Sequence, residues 1–168
     1  MPPRKTGHAK AQSFPAPNHD HAACATDALA RAERLCRARG VRFTEIRRCV
    51  LKAIWQSHAP IGAYDILAGL NAKGARHAPM VVYRALEFLQ ANGFVHRVAS
   101  QNAFIGCAHP DEGHDSQFLI CRKCGTVAEI ANAAVSTALA NAAPGFAVES
   151  RTVEISGVCP HCKDHSHA

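Results

Sequence analysis

The sequence predicts an α+β chain: an N-terminal winged helix-turn-helix followed by a small α/β dimerisation domain. Three observations carry this. Apolar residues recur at helical spacing in four consecutive stretches between Thr26 and Gly93, after which the period switches to two. Two Cys-x-x-Cys pairs then lie in the last third of the chain. Charge divides at the same boundary, with 15 Lys/Arg against 6 Asp/Glu through Gly106 and 4 against 7 from Cys107 onward. A front half at +9 and a rear half at −3 predict a polyanion partner for the first domain.

Residues 1–25 are rich in Pro, Ala, His and polar residues without periodicity and read as a flexible tail. His8, His19 and His21 there are read as solvated side chains. The winged-helix domain is predicted over 26–106. Its first helix, "TDALARAERLCRARG", sets Leu29, Ala32, Leu35 and Cys36 on one stripe and stops at Gly40. The second, "TEIRRCVLKAIWQSH", starts at an N-cap Thr44 and turns Ile46, Cys49, Val50, Ala53 and Ile54 inward. "GAYDILAGLNAKG" is a shorter third helix. "APMVVYRALEFLQANG" is the fourth, with Pro79 in its first turn and Gly93 at its end. The runs "FVHRVA" and "NAFIGC", joined through Ser100-Gln101, form a hairpin. Helices followed by such a hairpin place the fourth helix in the major groove and the hairpin beside it as a wing.

Residues 107–168 form the predicted metal-binding dimerisation domain. After the polar loop "AHPDEGHDSQ" come strands "FLIC" and "TVAEI", a helix at "AAVSTALANAA", and a long strand candidate "FAVESRTVEISGVC". The expected arrangement is a helix covering an antiparallel sheet. Large apolar residues are few here, so metal and dimerisation are needed to stabilise the unit.

A hydrophobic content of 48% permits a core, and the lack of a run of about 18 apolar residues excludes a transmembrane helix. The opening "MPPRKTGHAK" leads into no apolar secretory core, so a cytoplasmic location is expected. In that reducing setting, eight cysteines point to metal ligation more than to disulfides.

Cys121, Cys124, Cys159 and Cys162 form two knuckles separated by a sheet-and-helix unit, a pattern for a tetrahedral Cys₄ zinc site. A thioredoxin-like motif needs a βαβ context that neither pair has. Cys36 and Cys49 read as small core residues, and Cys24 lacks a partner at ligand spacing. A second, less regular donor set comprises His96 on the wing, Cys107 at the hinge, His114 in the polar loop and Glu129 after the first knuckle. Together they supply two nitrogens, a sulfur and an oxygen, which zinc accepts. His109, Asp111, Glu112 and Asp115 are rival donors in the same loop.

"VYRALEFLQANGFVHRV", the knuckle "FLICRKCG" and the closing "CPHC", in this order, resemble the ferric uptake regulator (Fur) family, most closely its zinc uptake regulator branch. The likeness runs from about Leu29 to Cys162. It implies a homodimeric, metal-dependent repressor that binds double-stranded operator DNA upstream of metal-uptake genes. It also implies two zinc sites per chain, one structural (Cys121, Cys124, Cys159, Cys162) and one regulatory (His96, Cys107, His114, Glu129). A thiolate at Cys107 suits zinc, whereas iron and peroxide sensors of the family favour His and carboxylate. The sequence departs from the family where Val81 replaces a common Thr before "VYRAL", and where the His-rich loop is reduced to "HPDEGHD".

For base readout the candidates are Arg84, whose guanidinium can grip guanine O6 and N7, and Tyr64. Tyr83 is expected at the backbone, and Arg97 on the wing at phosphate. Arg42, Arg47, Arg48, Lys73 and Arg76 are further phosphate candidates. An enzyme is not expected, because the Cys₄ site is closed and the other fills four positions with no spare base. The alternatives are a family member sensing iron, manganese, nickel or peroxide, and a zinc storage or delivery protein, which would not need a basic winged helix.

Overall fold

The computed structural model describes residues 14, 20–72, 74, 76–111 and 115–164. Helices α1 (His21–Ala38), α2 (Glu45–Ile54), α3 (Ala63–Asn71) and α4 (Pro79–Ala91) precede the hairpin β1 (Val95–Val98) and β2 (Ala103–Gly106). Then follow β3 (Ser116–Cys121), β4 (Val127–Ile130), α5 (Ala133–Asn141), β5 (Thr152–Gly157) and the short α6 (Pro160–Asp164).

Helix α1 begins at His21, not at Thr26, so residues 21–25 belong to it rather than to a tail. The Asp20 carboxylate accepts the Ala22 and Ala23 amides at 2.8 and 3.2 Å, satisfying donors the helix itself cannot pair. The Ala-rich run behind this cap favours helix. Thr44 sits at the N-cap of α2 in extended backbone, but its hydroxyl makes no capping bond.

The apolar stripes of α1 to α4 meet in one core around Val50, Leu51, Ile54, Ile66, Val82, Leu86 and Leu89. Helix α4 starts on Pro79, whose missing N–H costs nothing at that position. It buries Val82, Ala85, Leu86 and Leu89, leaving Met80, Tyr83, Arg84 and Glu87 on its outer face. The wing is antiparallel, Val95 facing Gly106 and Val98 facing Ala103. Its tip is a 3-10 turn, Ala99–Gln101, closed by Asn102 in the left-handed region (φ 48°).

The rear sheet has strand order β4-β3-β5 and is mixed, which corrects the antiparallel expectation. Strand β4 returns antiparallel to β3 through the first knuckle, and the α5 crossover brings β5 back parallel to β3 on its other side. Only Thr152–Gly157 forms the last strand. The stretch "FAVES" before it lies outside the ladder. Parallel pairing sets Cys121 opposite Gly157, so both knuckles stand at the same end of the sheet. An antiparallel β5 would have put them at opposite ends.

The two halves share packing. Val98 and Ile105 of the wing are buried with Phe118, Ile120 and Val127 of the rear sheet in a second apolar cluster. On the other face Gln117, fully buried, donates to the Asn132 carbonyl and the Ser136 hydroxyl at 3.2 and 2.9 Å, tying down α5. Helix α5 buries none of its residues.

Candidate metal centres and nucleic-acid interface

The sulfurs of Cys121, Cys124, Cys159 and Cys162 all lie within 4.8 Å of one another. Cys121 ends β3, Cys124 closes the tight turn after it, and Cys159 and Cys162 flank the start of α6. Cys124 Sγ and Cys159 Sγ are 3.8 Å apart. Four thiolates placed tetrahedrally about 2.3 Å from one ion stand about 3.8 Å from each other, so this donor set fits zinc. The separation is nearly twice a disulfide bond. Hydrogen bonds prepare the thiols. Cys121 Sγ accepts the backbone amides of Cys124 and Cys159, which hold its pKa down at about 6. The Thr126 hydroxyl and amide lower Cys124 as well. Cys162 is pushed up to about 12, mainly through its hydrogen bond with Cys159 and through burial. The hydrogen bonds thus favour the thiolate at Cys121 and Cys124 and the protonated thiol at Cys162.

A second cluster lies at the junction of the halves. His96 of β1, Cys107 of the hinge and Glu129 of β4 bring their donor atoms within 4.8 Å of one another. His96 Nε2 is 2.8 Å from Glu129 Oε1, and Cys107 Sγ is 3.9 Å from the same oxygen. The supporting shell is specific. Ser116 Oγ meets His96 Nδ1 at 3.0 Å, which turns Nε2 toward the cluster. The Ala108 amide donates to Glu129 Oε2 at 3.0 Å, and the Cys107 amide to the Phe94 carbonyl at 3.0 Å. Burial and the Glu129 charge push the Cys107 thiol up to about 12. A buried thiol, an imidazole and a carboxylate converging on one point could hold a cation through mixed N, S and O donors, a set that suits zinc. His114 and the rival donor Glu112 lie outside the described residues. Of the other rivals, Asp111 pairs with Arg34 at 3.8 Å and Asp115 with Arg151 at 3.3 Å.

Sequence reasoning missed the residues that hold the hinge. Arg31 donates to the Ala108 carbonyl at 2.6 Å, and Arg39 to the Asn92 and Pro110 carbonyls at 2.7 and 3.1 Å. Trp55 packs on Gly106, where a methyl group would overlap the indole. The available signal was the cluster of arginines that α1 carries away from its apolar stripe.

On the candidate nucleic-acid face, Tyr64 of α3 is 69% exposed and meets Tyr83 of α4 edge-on, ring centres 6.4 Å apart. Arg84 is exposed beside Tyr83. Arg97 is exposed on the wing and donates to Asn102 Oδ1 at 2.7 Å. A cavity of about 410 Å³ runs between Tyr64, Tyr83 and the wing residues Arg97 and Asn102. The structure thus sets Tyr64, Tyr83 and Arg97 around one groove. Two phosphate candidates are engaged elsewhere. Arg47 stacks on Phe88, and Arg48 pairs with Glu33 and Glu45 at 3.3 and 3.6 Å. Lys73 lies outside the described residues.

A winged helix joined to a cysteine-rich α/β unit, with a donor cluster at the junction, defines a metal-binding protein of the winged-helix class. The chain belongs to the ferric uptake regulator family, whose model matches residues 38–156. It is 38% identical over 137 residues to the zinc uptake regulation protein of Escherichia coli K12, covering 80% of each chain. Among solved structures, it is similar to a zinc uptake regulator complexed with zinc and DNA (TM-score 0.81, 35% identity, 86% of this chain and 98% of the other). It also overlays on XcZur, with a TM-score of 0.75 for the holo form (40% identity, 81% and 96% covered). Against the apo form of XcZur the TM-score is 0.50 (41% identity, 83% and 97% covered).

Proposed function

We propose that this chain is a zinc-responsive, DNA-binding repressor of zinc-uptake genes, acting as a zinc-loaded homodimer and not as an enzyme. The observation that carries the reading is the convergence of His96, Cys107 and Glu129 from the wing, the hinge and the rear sheet. A site built across that junction ties the angle between the halves to metal occupancy. The kinship with zinc uptake regulators, one of them in complex with zinc and DNA, supports zinc as the metal and duplex DNA as the partner. The fuller overlay on holo than on apo XcZur supports the arrangement seen here as the metal-loaded one.

Two zinc sites per chain are proposed. The Cys₄ set would hold a structural ion and add its binding energy to the folding of a thinly packed unit. The regulatory site would use His96, Cys107 and Glu129, with His114 as a fourth donor proposed from the sequence alone. Zinc there supplies a divalent charge able to link donors from both halves. The chain's own part is to aim them: Ser116 orients the imidazole, and the Ala108 amide orients the carboxylate. In a homodimer the angle between halves sets the distance between two α4 helices, which must match successive half-sites. Zinc favours the DNA-competent form by its differential affinity, and DNA must tighten zinc by the same factor. Among the described residues β5 pairs only with β3, and Ile155 on it and Val158 just after it are exposed, an edge suited to a second copy.

The decisive experiment titrates binding of the duplex that the protein selects from a random pool against buffered free Zn²⁺, Fe²⁺, Mn²⁺ and Ni²⁺. Zinc should drive binding at the lowest free concentration relative to its cellular range. A response to iron or manganese alone would reassign the sensor, and metal-independent binding would overturn the reading.

A further inference from the structure

One row of the rear sheet points three side chains at the winged domain. Phe118 of β3 pairs with Glu129 of β4 on one side and with Glu154 of β5 on the other. Phe118 is fully buried, its ring 5.6 Å from that of His96. Glu129 reaches the root of the wing at His96 and Ala108. Glu154 reaches the tip. Its carboxylate accepts the Ala99 amide at 2.6 Å on one oxygen and the Ser100 amide at 3.2 Å on the other. These amides open the 3-10 turn, where the turn itself offers them no acceptor.

We propose that Glu154 is a positioning residue for the wing: with Glu129 it fastens the hairpin to the dimerisation sheet at two points and fixes where Arg97 stands. His96 and Ala99 are three residues apart, about 10 Å along an extended strand, so the attachments are well separated. Between them Val98 and Ile105 pack on Phe118, an apolar contact without direction, and the two hydrogen bonds at the tip add the direction it lacks. The tip carries the Arg97–Asn102 hydrogen bond, with Asn102 closing the turn, so its orientation sets the direction of the guanidinium. Burial raises the Glu154 carboxyl pKa, but the Ser100 hydroxyl and the two amides outweigh it, and the group titrates below its ordinary value. It is therefore the ionised form that the wing tip binds. Neither Glu154 contact involves a residue of the proposed metal sites. The attachment biases the chain toward the metal-loaded arrangement before zinc arrives, so part of the apparent zinc affinity belongs to Glu154.

The consequence for DNA rests on the proposed function, while the contact itself does not, and the test separates the two. The full-length dimer would be compared with Glu154→Gln, with Ala99→Pro, and with the double variant. Ala99→Pro deletes one donor from the opposite side of the contact. It suits the first position of the turn, because Val98 before it is already extended (φ −88°, ψ 101°). The readouts are amide exchange at Ala99 and Ser100 by NMR, zinc content, dimer mass, and the free zinc at which half the selected duplex is bound. Glu154→Gln should speed exchange at both amides. Each single variant should raise the zinc midpoint roughly tenfold with zinc content and dimer mass unchanged, and the double variant should add little to either. Unchanged exchange in Glu154→Gln, or a zinc midpoint in Ala99→Pro equal to that of the parent, would overturn the proposal. If the parent binds no duplex with zinc, the proposed function falls, and the exchange measurement still decides the contact.

Discussion

His96 Nε2 and Glu129 Oε1 stand 2.8 Å apart although one belongs to the wing and the other to the rear sheet. Cys107, at the hinge between them, is within 3.9 Å of the same carboxylate oxygen. Replacing His96 by Ala, or Cys107 by Ser, should therefore leave a folded dimer that keeps its structural zinc but no longer binds operator at limiting free zinc. Metal analysis and a mobility-shift titration check this. Variants that respond to zinc like the parent would move the sensing site elsewhere, with His109 and Asp111 the next donors to examine.

The Cys107 thiol, pushed up to about 12 by burial and by Glu129, is neutral throughout the physiological range. A metal that binds its sulfur must expel that proton, so affinity at this site should rise about tenfold per pH unit between pH 6 and 9. A competition titration with a zinc chelator over that range reads the slope, and a flat profile would exclude the thiolate as a ligand. In the metal-free chain the same shift acts on stability with the opposite sense. Above its ordinary 9.0 the unfolded thiol ionises while the folded one does not, so this group's contribution falls as pH rises toward about 12.

Cys121→Ser removes a thiol whose pKa is held down at about 6 and one of the four sulfurs that converge there. It should cost one zinc per chain and unfold or monomerise the rear domain, because binding energy there is folding energy. Retention of full zinc content and of a stable dimer would exclude the assignment.

Arg84 and Arg97 should separate by what they read. Arg84→Ala is expected to cost roughly 1–3 kcal/mol per half-site and to flatten preference at one base pair. Arg97→Ala should weaken all sequences alike and reduce the salt slope by about one charge. Competition against single-base operator variants distinguishes them. An unchanged preference profile in Arg84→Ala would shift the readout to Tyr64.

Gly106→Ala tests the packing beside the hinge. The added methyl must displace the Trp55 ring, an overpacking change that typically costs about 1–3 kcal/mol. Because Trp55 is the only tryptophan, its emission should shift along with the unfolding midpoint. An unaltered spectrum and midpoint would show that the ring accommodates the methyl freely.

The four helices and the wing were legible because each buries one face, and burial of one face writes a period into the sequence: Val82, Leu86 and Leu89 in α4, and Val95 and Val98 in β1. The Cys₄ set was legible as paired spacing, which a knuckle needs whatever surrounds it. The direction of β5 was not, since a strand has the same alternation whether its neighbour runs with it or against it. The start of α1 was missed although Asp20 before an Ala-rich run is a cap signal, because residues 21–25 include no large apolar side chain to mark the stripe that Ala25 extends. Of the proposed regulatory donors, His96, Cys107 and Glu129 could be nominated only as residue types. What joins them is the packing of Val98 and Ile105 against Phe118, a contact between segments far apart in the chain. Glu154 had no sequence signature, because a glutamate on an edge strand usually faces water.

The parallel pairing of β3 with β5 also has a kinetic meaning. The first knuckle can form as soon as β3 and β4 fold back on each other, a local event that closes a short loop. The second reaches it only after the intervening crossover has been threaded and Cys121 has come level with Gly157. Non-local closure of this kind is slow and entropically unfavourable until its contacts are complete. The four sulfurs therefore come within reach of a single ion late, once the sheet has its final order. One knuckle alone would offer an ion only two protein ligands. If zinc occupies this set as proposed, its tight retention would report a correctly ordered sheet.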